Sequence, residues 1–428
     1  MDPNQLEQML KVLNSNKEGI PLEVINEYNQ AIVTFQMSQE GFIWLIENFL
    51  HFQSPELIGL AMSTFRLWIT SNWESLTEPI IEQLKSILFT NARAYSDNPS
   101  IYSSQSSSQI GLFFNLYPDS WPTFWADLLS LPEAIINSFL TELVSSDQEK
   151  LIRGIFQIGD NSEELVVSYL IDKITKGQDE VYPILTQMIT SELIDPTSIL
   201  NSPIIAIIQS TLTQTTQEII ASPPESTDTD KLNKVDAAIK LVNCIVCTPI
   251  NPELLNSFLT ELKIIDIMMG IFQNECFTTI MASASSLITA AAEFFIETPA
   301  APEYYRLSLL ILQHPLMDVI SPVIDFIEKF TTLSQSPDIA QQSFTALLHV
   351  LSNYFLNLSI TTDFDLATVG EIDQFASDVL KKMTTILRNN TGMIDAYLSP
   401  LIETQNGLNN SSGGLALEAS EISALLYL

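Results

Sequence analysis

Apolar residues recur along the N-terminal third of this chain at helical spacing, and the pattern is itself repeated. Leu6, Met9, Leu10 and Leu13 fall at i, i+3, i+4 and i+7, on one face of a helix. Beyond Gly19 and Pro21, the residues Ile25, Tyr28, Ile32 and Phe35 form a second such face. Phe42, Leu45, Ile46 and Phe49 form a third, after a break near Ser38 and Gly41. Ser54-Pro55-Glu56 predicts a helix start, with a capping hydroxyl and proline in the first helical position, and places Leu57, Ala61, Phe65 and Trp68 together. A fifth helix gathers Leu76, Ile80, Leu84, Ile87 and Leu88. Equivalent helices therefore begin near residues 6, 40 and 76, with intervening ones near 22 and 56. A period of about 34 to 36 residues belongs to stacked helix pairs, because one pair cannot bury its apolar face alone. The expected fold is all-α, an α-solenoid of HEAT/armadillo-like helix pairs. The Trp–Leu–Gly–Tyr pattern of tetratricopeptide repeats is absent.

Composition agrees with this expectation. At 428 residues the chain exceeds one compact core, and with 46% hydrophobic and 16% charged residues it has ample surface to bury. Only 13 glycines occur, which disfavours Gly-rich phosphate loops and tight hairpins. No run of about 18 apolar residues is present, and Met1-Asp2-Pro3-Asn4 does not open a signal peptide, so neither secretion nor membrane insertion is expected. Cys244, Cys247 and Cys276 are too few for a disulfide framework, which fits a reducing compartment. Lys and Arg number 18 against 51 Asp and Glu, a net charge of -33. Such a surface repels phosphate backbones and favours basic protein partners.

Helix-like runs continue through Leu165–Ile174, Tyr182–Ile189, Ile204–Leu212, Lys231–Val246, Leu254–Phe272, Phe277–Phe295 and Tyr304–Leu312. Strand-like alternation is nowhere sustained. Ser96 to Ser108 reads as a loop or a frayed helix start. Ala221–Asp230 reads as a mobile inter-repeat loop, and Thr298–Pro302 and Gly407–Gly414 are further punctuation. Two regions are expected, residues 1–145 and 146–428. The ending Glu418–Leu428 reads as an apolar helix, either a capping helix or the start of another repeat, and its apolar character points to docking of a second copy or of further repeats.

Residues Tyr117 to Ser130 read YPDSWPTFWADLLS. Tyr117-Pro118 closes one helix, because the residue before proline avoids the helical region. Ser120 then sits just outside the next helix and Pro122 in its first turn, with Trp121, Phe124, Trp125, Leu128 and Leu131 at helical spacing. Read from the residues alone, this is an aromatic corner of a helical core. Its order resembles the Tyr/Trp-Pro-x-x-Trp-Pro-x-Phe-x-x-Asp-Leu-Leu segment in the N-terminal domain of exportins, nuclear export receptors of the importin-β superfamily. Tyr117, Pro118, Trp121, Pro122, Phe124, Asp127 and Leu128 carry the match. Upstream, Ile25–Phe35 with the helix around Trp44, and Ile58–Trp73, are similar in the same order, so the resemblance spans roughly residues 6–145. The tRNA exportins and the leucine-rich-signal exportins are similarly close.

The resemblance implies a HEAT superhelix whose N-terminal repeats grip the GTP-bound Ran GTPase, with cargo on its concave or convex surface. It also implies contacts with nuclear-pore Phe-Gly repeats on the outside, and shuttling between nucleus and cytoplasm. Protein cargo would present a basic surface. Exportins are more than twice this length, however, and the basic residues that often precede the motif are replaced here by Ser106, Ser107, Ser108 and Gln109. On the helix Glu56–Trp73 the face away from the core carries Glu56, Ser63, Arg66 and Thr70, the expected partner-facing residues. The alternative is a helical scaffold without a GTPase partner.

No catalytic residues, cofactor or metal are expected. His51, His314 and His349 lie in or beside apolar helical runs, and no GxSxG, GxxxxGK[ST], HExxH or GxGxxG pattern occurs. Cys244-Ile-Val-Cys247 lacks the partners of a zinc site, so the thiols are expected in the core. The acidic run Asp160–Glu164 is expected to be a solvated helix start. Direct RNA binding, which the resemblance to tRNA exportins allows, is disfavoured by the charge, since Lys381-Lys382 with Arg388 is the only close basic group.

Overall fold

A computed structural model describes residues 3–14, 20–90, 99–145, 162–200, 204–222, 228–360 and 366–390. These residues are helical with short turns, and no strand occurs among them. The all-α expectation holds. The helices group into two compact units, Met1–Ile199 and Leu200–Leu428. The expected boundary between residues 145 and 146, the linker Gly407–Gly414 and the segment Glu418–Leu428 all fall on or beside residues outside the described ones.

In the first unit the helices are α1 (Pro3–Asn14), α2 (Leu22–Met37), α3 (Gln39–Asn48), α4 (Pro55–Ser71), α5 (Glu78–Lys85), α6 (Pro99–Leu116), α7 (Phe124–Leu129), α8 (Glu133–Val144), α9 (Ser162–Thr175), α10 (Tyr182–Thr190) and the short α11 (Pro196–Leu200). α4, α6 and α8 pack side by side, α1 and α3 lie against α4, and α10 lies against α8. The sequence periodicity chose the buried faces correctly: Leu6, Met9 and Leu10 of α1, Phe42, Leu45 and Ile46 of α3, and Leu57, Ala61, Phe65 and Trp68 of α4 are all buried.

The break between α2 and α3 is sharp. Ser38 is extended and accepts the Gly41 N–H on its hydroxyl, which caps α3. Gly41 lies inside the first turn of α3, where an added Cβ would stand 2.1 Å from the Phe35 carbonyl oxygen. Any side chain there would force the two helices apart.

Three local expectations are corrected in this unit. Ser54 does not cap the α4 backbone, because its hydroxyl donates to Glu56 Oε2 at 2.5 Å instead. The polar stretch ending at Ser108 is a helix start and no loop: from Pro99 onward it is helix, with Gln105, Ser106, Ser108 and Gln109 buried among α4, α8 and the segment Ser86–Thr90. The helix after Tyr117-Pro118 begins at Phe124, not at Pro122, and Trp121 and Pro122 belong to the turn before it.

The second unit contains α12 (Ile204–Ser210), α13 (Thr216–Ala221), α14 (Thr229–Cys247), α15 (Pro252–Leu262), α16 (Ile264–Phe272), α17 (Met281–Phe295), α18 (Ala301–Ile311), α19 (Met317–Ser334), α20 (Pro337–Ile360) and α21 (Leu366–Asn389). Here α14, α17, α19 and α21 pack in one row, while α16, α18 and α20 lie against that row as a second layer. Asp228 caps α14 by accepting from the Asp230 and Lys231 amides, and Asn251 with Pro252 starts α15 in the same way.

The run Leu254–Phe272 is two helices, because Lys263 adopts a left-handed φ of 52° and ends α15. The run Phe277–Phe295 likewise becomes regular helix only from Met281. Part of the expected loop Ala221–Asp230 is helical: Ala221 closes α13 and Thr229 opens α14, with residues 223–227 outside the described ones.

Candidate partner-binding face

α4 is buried on most of its circumference, so only a narrow strip can meet a partner. The four expected residues occupy that strip unequally. Arg66 and Thr70 are exposed, and among the described residues Arg66 makes no ion pair. The Thr70 hydroxyl folds back to donate to the Arg66 carbonyl at 2.8 Å.

Glu56 lies at the start of the helix. The Ser54 hydroxyl, then its own backbone amide, and more weakly Lys11 of α1 hold its carboxyl below the usual range. Ser63 is not available in the same sense. It accepts from Gln36 Nε2 at 3.1 Å and donates to the Leu60 carbonyl at 2.9 Å, which places it in the seam between α2 and α4.

Gln36 was not singled out by sequence pattern, yet it organises this seam. Its amide also reaches Thr64 Oγ1 at 3.1 Å, and its carbonyl accepts from Trp68 Nε1 at 2.8 Å. One residue of α2 thus fixes three residues of α4. A glutamine on a helix carries no periodic signal, so nothing in the sequence marks it. The same helix exposes Leu22, Val33 and Met37 at 71%, 48% and 63%, with the polar Asn26 and Gln30 on the same side. This uncharged stripe stands out in a chain so rich in carboxylates.

The corner from Tyr117 to Leu128 is a packing device. Tyr117 stacks on Phe113 with centroids 5.2 Å apart, Phe124 lies 4.9 Å from Phe113 and 5.6 Å from Phe139, and Trp121 meets Phe89 edge-on at 4.6 Å. Tyr117, Trp121, Phe124 and Leu128 are buried. Asp127 accepts from Trp121 Nε1 at 2.7 Å and from the Thr123 hydroxyl at 2.8 Å, tying the turn to the first turn of α7. The Lys85 ammonium sits 4.8 Å from the Trp121 ring centroid. Pro122 is exposed and Pro118 half-exposed, so the prolines shape the backbone and do not fill the core.

Other expected features resolve as follows. Cys244 and Cys276 are half-buried and Cys247 is exposed, which corrects the expectation of core thiols: the CxxC run straddles the edge of the buried face of α14. Burial, with a smaller contribution from the Glu293 carboxylate, pushes the Cys247 thiol upward. No His, Cys, Asp and Glu group able to hold a metal occurs among the described residues. Likewise, none of the described helices is long and apolar enough to cross a membrane.

Glu163 is not merely a solvated helix-start carboxylate, because it accepts from the Asp195 amide at 2.9 Å and the Ser198 hydroxyl at 2.6 Å. The basic pair is spent internally: Lys382 bridges Asp325 at 2.9 Å and Glu328 at 2.8 Å, and Lys381 pairs with Asp378 at 3.0 Å.

No family model matches the sequence, and no curated protein matches it. Among solved structures the chain is similar in fold to a crystal structure of SYS-1, at 12% identity and a TM-score of 0.46 over 84% of this chain and 66% of that one. It is similar to a crystal complex of SYS-1 with POP-1 at 10% identity and the same TM-score and coverage. This chain thus spans just under two thirds of the length of those chains.

Proposed function

We propose that the chain is a nuclear transport receptor of the exportin type, which binds Ran-GTP through the exposed strip of α4 and the uncharged stripe of α2. In this reading it carries protein cargo with a basic surface, meets nuclear-pore Phe-Gly repeats and moves between nucleus and cytoplasm. No catalytic activity and no cofactor are assigned to it.

The observation that carries the reading is the folded corner from Tyr117 to Leu128. Of the residues that carry the resemblance, Tyr117, Trp121 and Phe124 pack on one another and Asp127 accepts from Trp121, which supports reading the segment as one module. The net charge of -33 and the internal use of Lys381 and Lys382 favour basic proteins over RNA as partners.

Immobilised Ran locked with a GTP analogue should retain the chain, whereas GDP-loaded Ran should not; equal retention by both forms, or by neither, overturns the reading. Replacing Glu56→Ala and Arg66→Ala together should weaken retention and leave helicity, read by circular dichroism, unchanged.

A second reading, a helical protein-interaction scaffold with no GTPase partner, is favoured by one observation: Ser63 is committed to the α2–α4 seam and does not face outward. A fluorescently tagged chain would then show no enrichment at nuclear pores.

A further inference from the structure

The second unit contains a groove that the proposed GTPase contacts do not use. It runs between α18 and α20, encloses about 620 Å³ and has Leu309, Leu312 and Ala346 along its floor. The two helices are tied together by Tyr305 of α18, which is buried. Its hydroxyl lies 3.2 Å from the Ile339 carbonyl and 2.8 Å from Ser343 Oγ, both on α20. The groove is therefore held open between anchored walls.

The walls are mainly polar and uncharged. Gln313, in the turn after α18, and Gln341, Gln342 and His349 on α20 are exposed, and among the described residues none of their side chains has a hydrogen-bond partner. A glutamine amide offers donors and an acceptor at once, as does a neutral imidazole. An extended peptide backbone presents the complementary alternation of N–H and C=O at about 3.3 Å per residue. From Asp338 to His349 the wall rises about 16 Å at 1.5 Å per helical residue, the length of about five extended residues. Asp338 is the one charged side chain lining the groove; it lies at the α20 start and makes no ion pair among the described residues. Its carboxylate sets the polarity of an occupant.

We propose that this groove binds a short extended segment of another protein. Small aliphatic side chains pack on Leu309, Leu312 and Ala346, the backbone is read by the glutamines and His349, and a Lys or Arg lies at the Asp338 end. The assignment is independent of Ran binding, which involves the other unit.

The test is an array of immobilised peptides of about six residues, varied in end charge and side-chain size, probed with the full chain and with Ala346→Trp and Asp338→Lys. The wild-type chain should retain peptides with a basic end and small aliphatic residues, and N-methylated versions should be lost. Ala346→Trp, at a half-exposed position, should weaken that set about tenfold with unchanged circular dichroism. Asp338→Lys should shift the preference to acidic ends. Retention of no peptide by the wild-type chain, or of the same peptides equally by both variants, overturns the proposal. Ran-GTP retention should be unaffected by Ala346→Trp. A chain that binds the peptides but not Ran removes the transport reading alone, and the reverse result removes the groove alone.

Discussion

Two stretches of α6 are buried by different means. The C-terminal one brings Phe113 and Leu116 into the aromatic corner, where Phe124, Tyr117 and Phe139 surround Phe113. The one before it, Gln105 to Gln109, is polar. Ser106 donates to Ser138 Oγ at 2.8 Å, Ser107 donates to Glu142 Oε1 at 2.8 Å, and Gln109 Nε2 donates to the Leu88 carbonyl at 2.9 Å. Apolar burial is non-directional and tolerates imperfect fit, whereas each buried polar group needs its own partner at the right place. The neighbours of α6 supply those partners only in part: the amide nitrogens of Gln105 and Gln109 reach the Leu88 carbonyl, while the side-chain oxygens of both glutamines are buried with no partner among the described residues.

This comparison predicts graded sensitivities. The largest effect should come from Phe124→Ala in the corner, a loss of about 3–5 kcal/mol of stability measured by urea denaturation. Gly111→Ala probes the junction of the two stretches. Its new Cβ would stand 2.4 Å from Cγ2 of the buried Ile69, and overpacking of this kind costs about 1–3 kcal/mol.

In the polar stretch Gln109→Leu removes the shorter of two side-chain bonds to the Leu88 carbonyl, the other being from Gln105 Nε2 at 3.4 Å, together with a buried Oε1 that has no partner among the described residues. The expected loss is about 1 kcal/mol. A stabilising result there would show that the polar seam is tolerated and not required.

The smallest effect extends the comparison to the second unit. His314 accepts the Leu316 N–H on Nδ1 at 3.2 Å, and burial holds its imidazole below the ordinary value of 6.5. The unfolded chain then binds the proton more readily, so the contribution is fully present above that ordinary value and is lost as pH falls through the folded one. His314→Gln should flatten the pH dependence of unfolding on the acid side of neutrality, measured by denaturation at several pH values.

The legibility of the sequence followed the same division. The faces of α1, α3 and α4 were readable because apolar side chains at helical spacing have one place to go. The corner was readable because Pro118 and Pro122 restrict the backbone and the aromatic residues between and beyond them are large. The stretch ending at Ser108 read as loop or frayed helix start because serine and glutamine give no periodic signal and their partners, Ser138, Glu142 and Leu88, lie elsewhere in the chain. Lys263 looked helical because its left-handed turn needs no glycine when the helices on either side fix it. On the candidate face, the exposure of Arg66 and Thr70 was readable from spacing alone. Ser63 was misjudged for availability because Gln36 reaches it from another helix.

By itself the sequence determined the class of fold, the buried faces of most helices, the acidic surface and the aromatic turn, since each depends on residue type and short-range spacing. Tertiary structure alone decided that the polar run Gln105 to Gln109 of α6 is core, that Ser63 is a seam residue, and that Lys382 is paired with Asp325 and Glu328. It also decided that an uncharged stripe on α2 is left open. Those outcomes depend on which groups meet across helices, and a directional bond between distant residues leaves no mark on the local pattern of either partner.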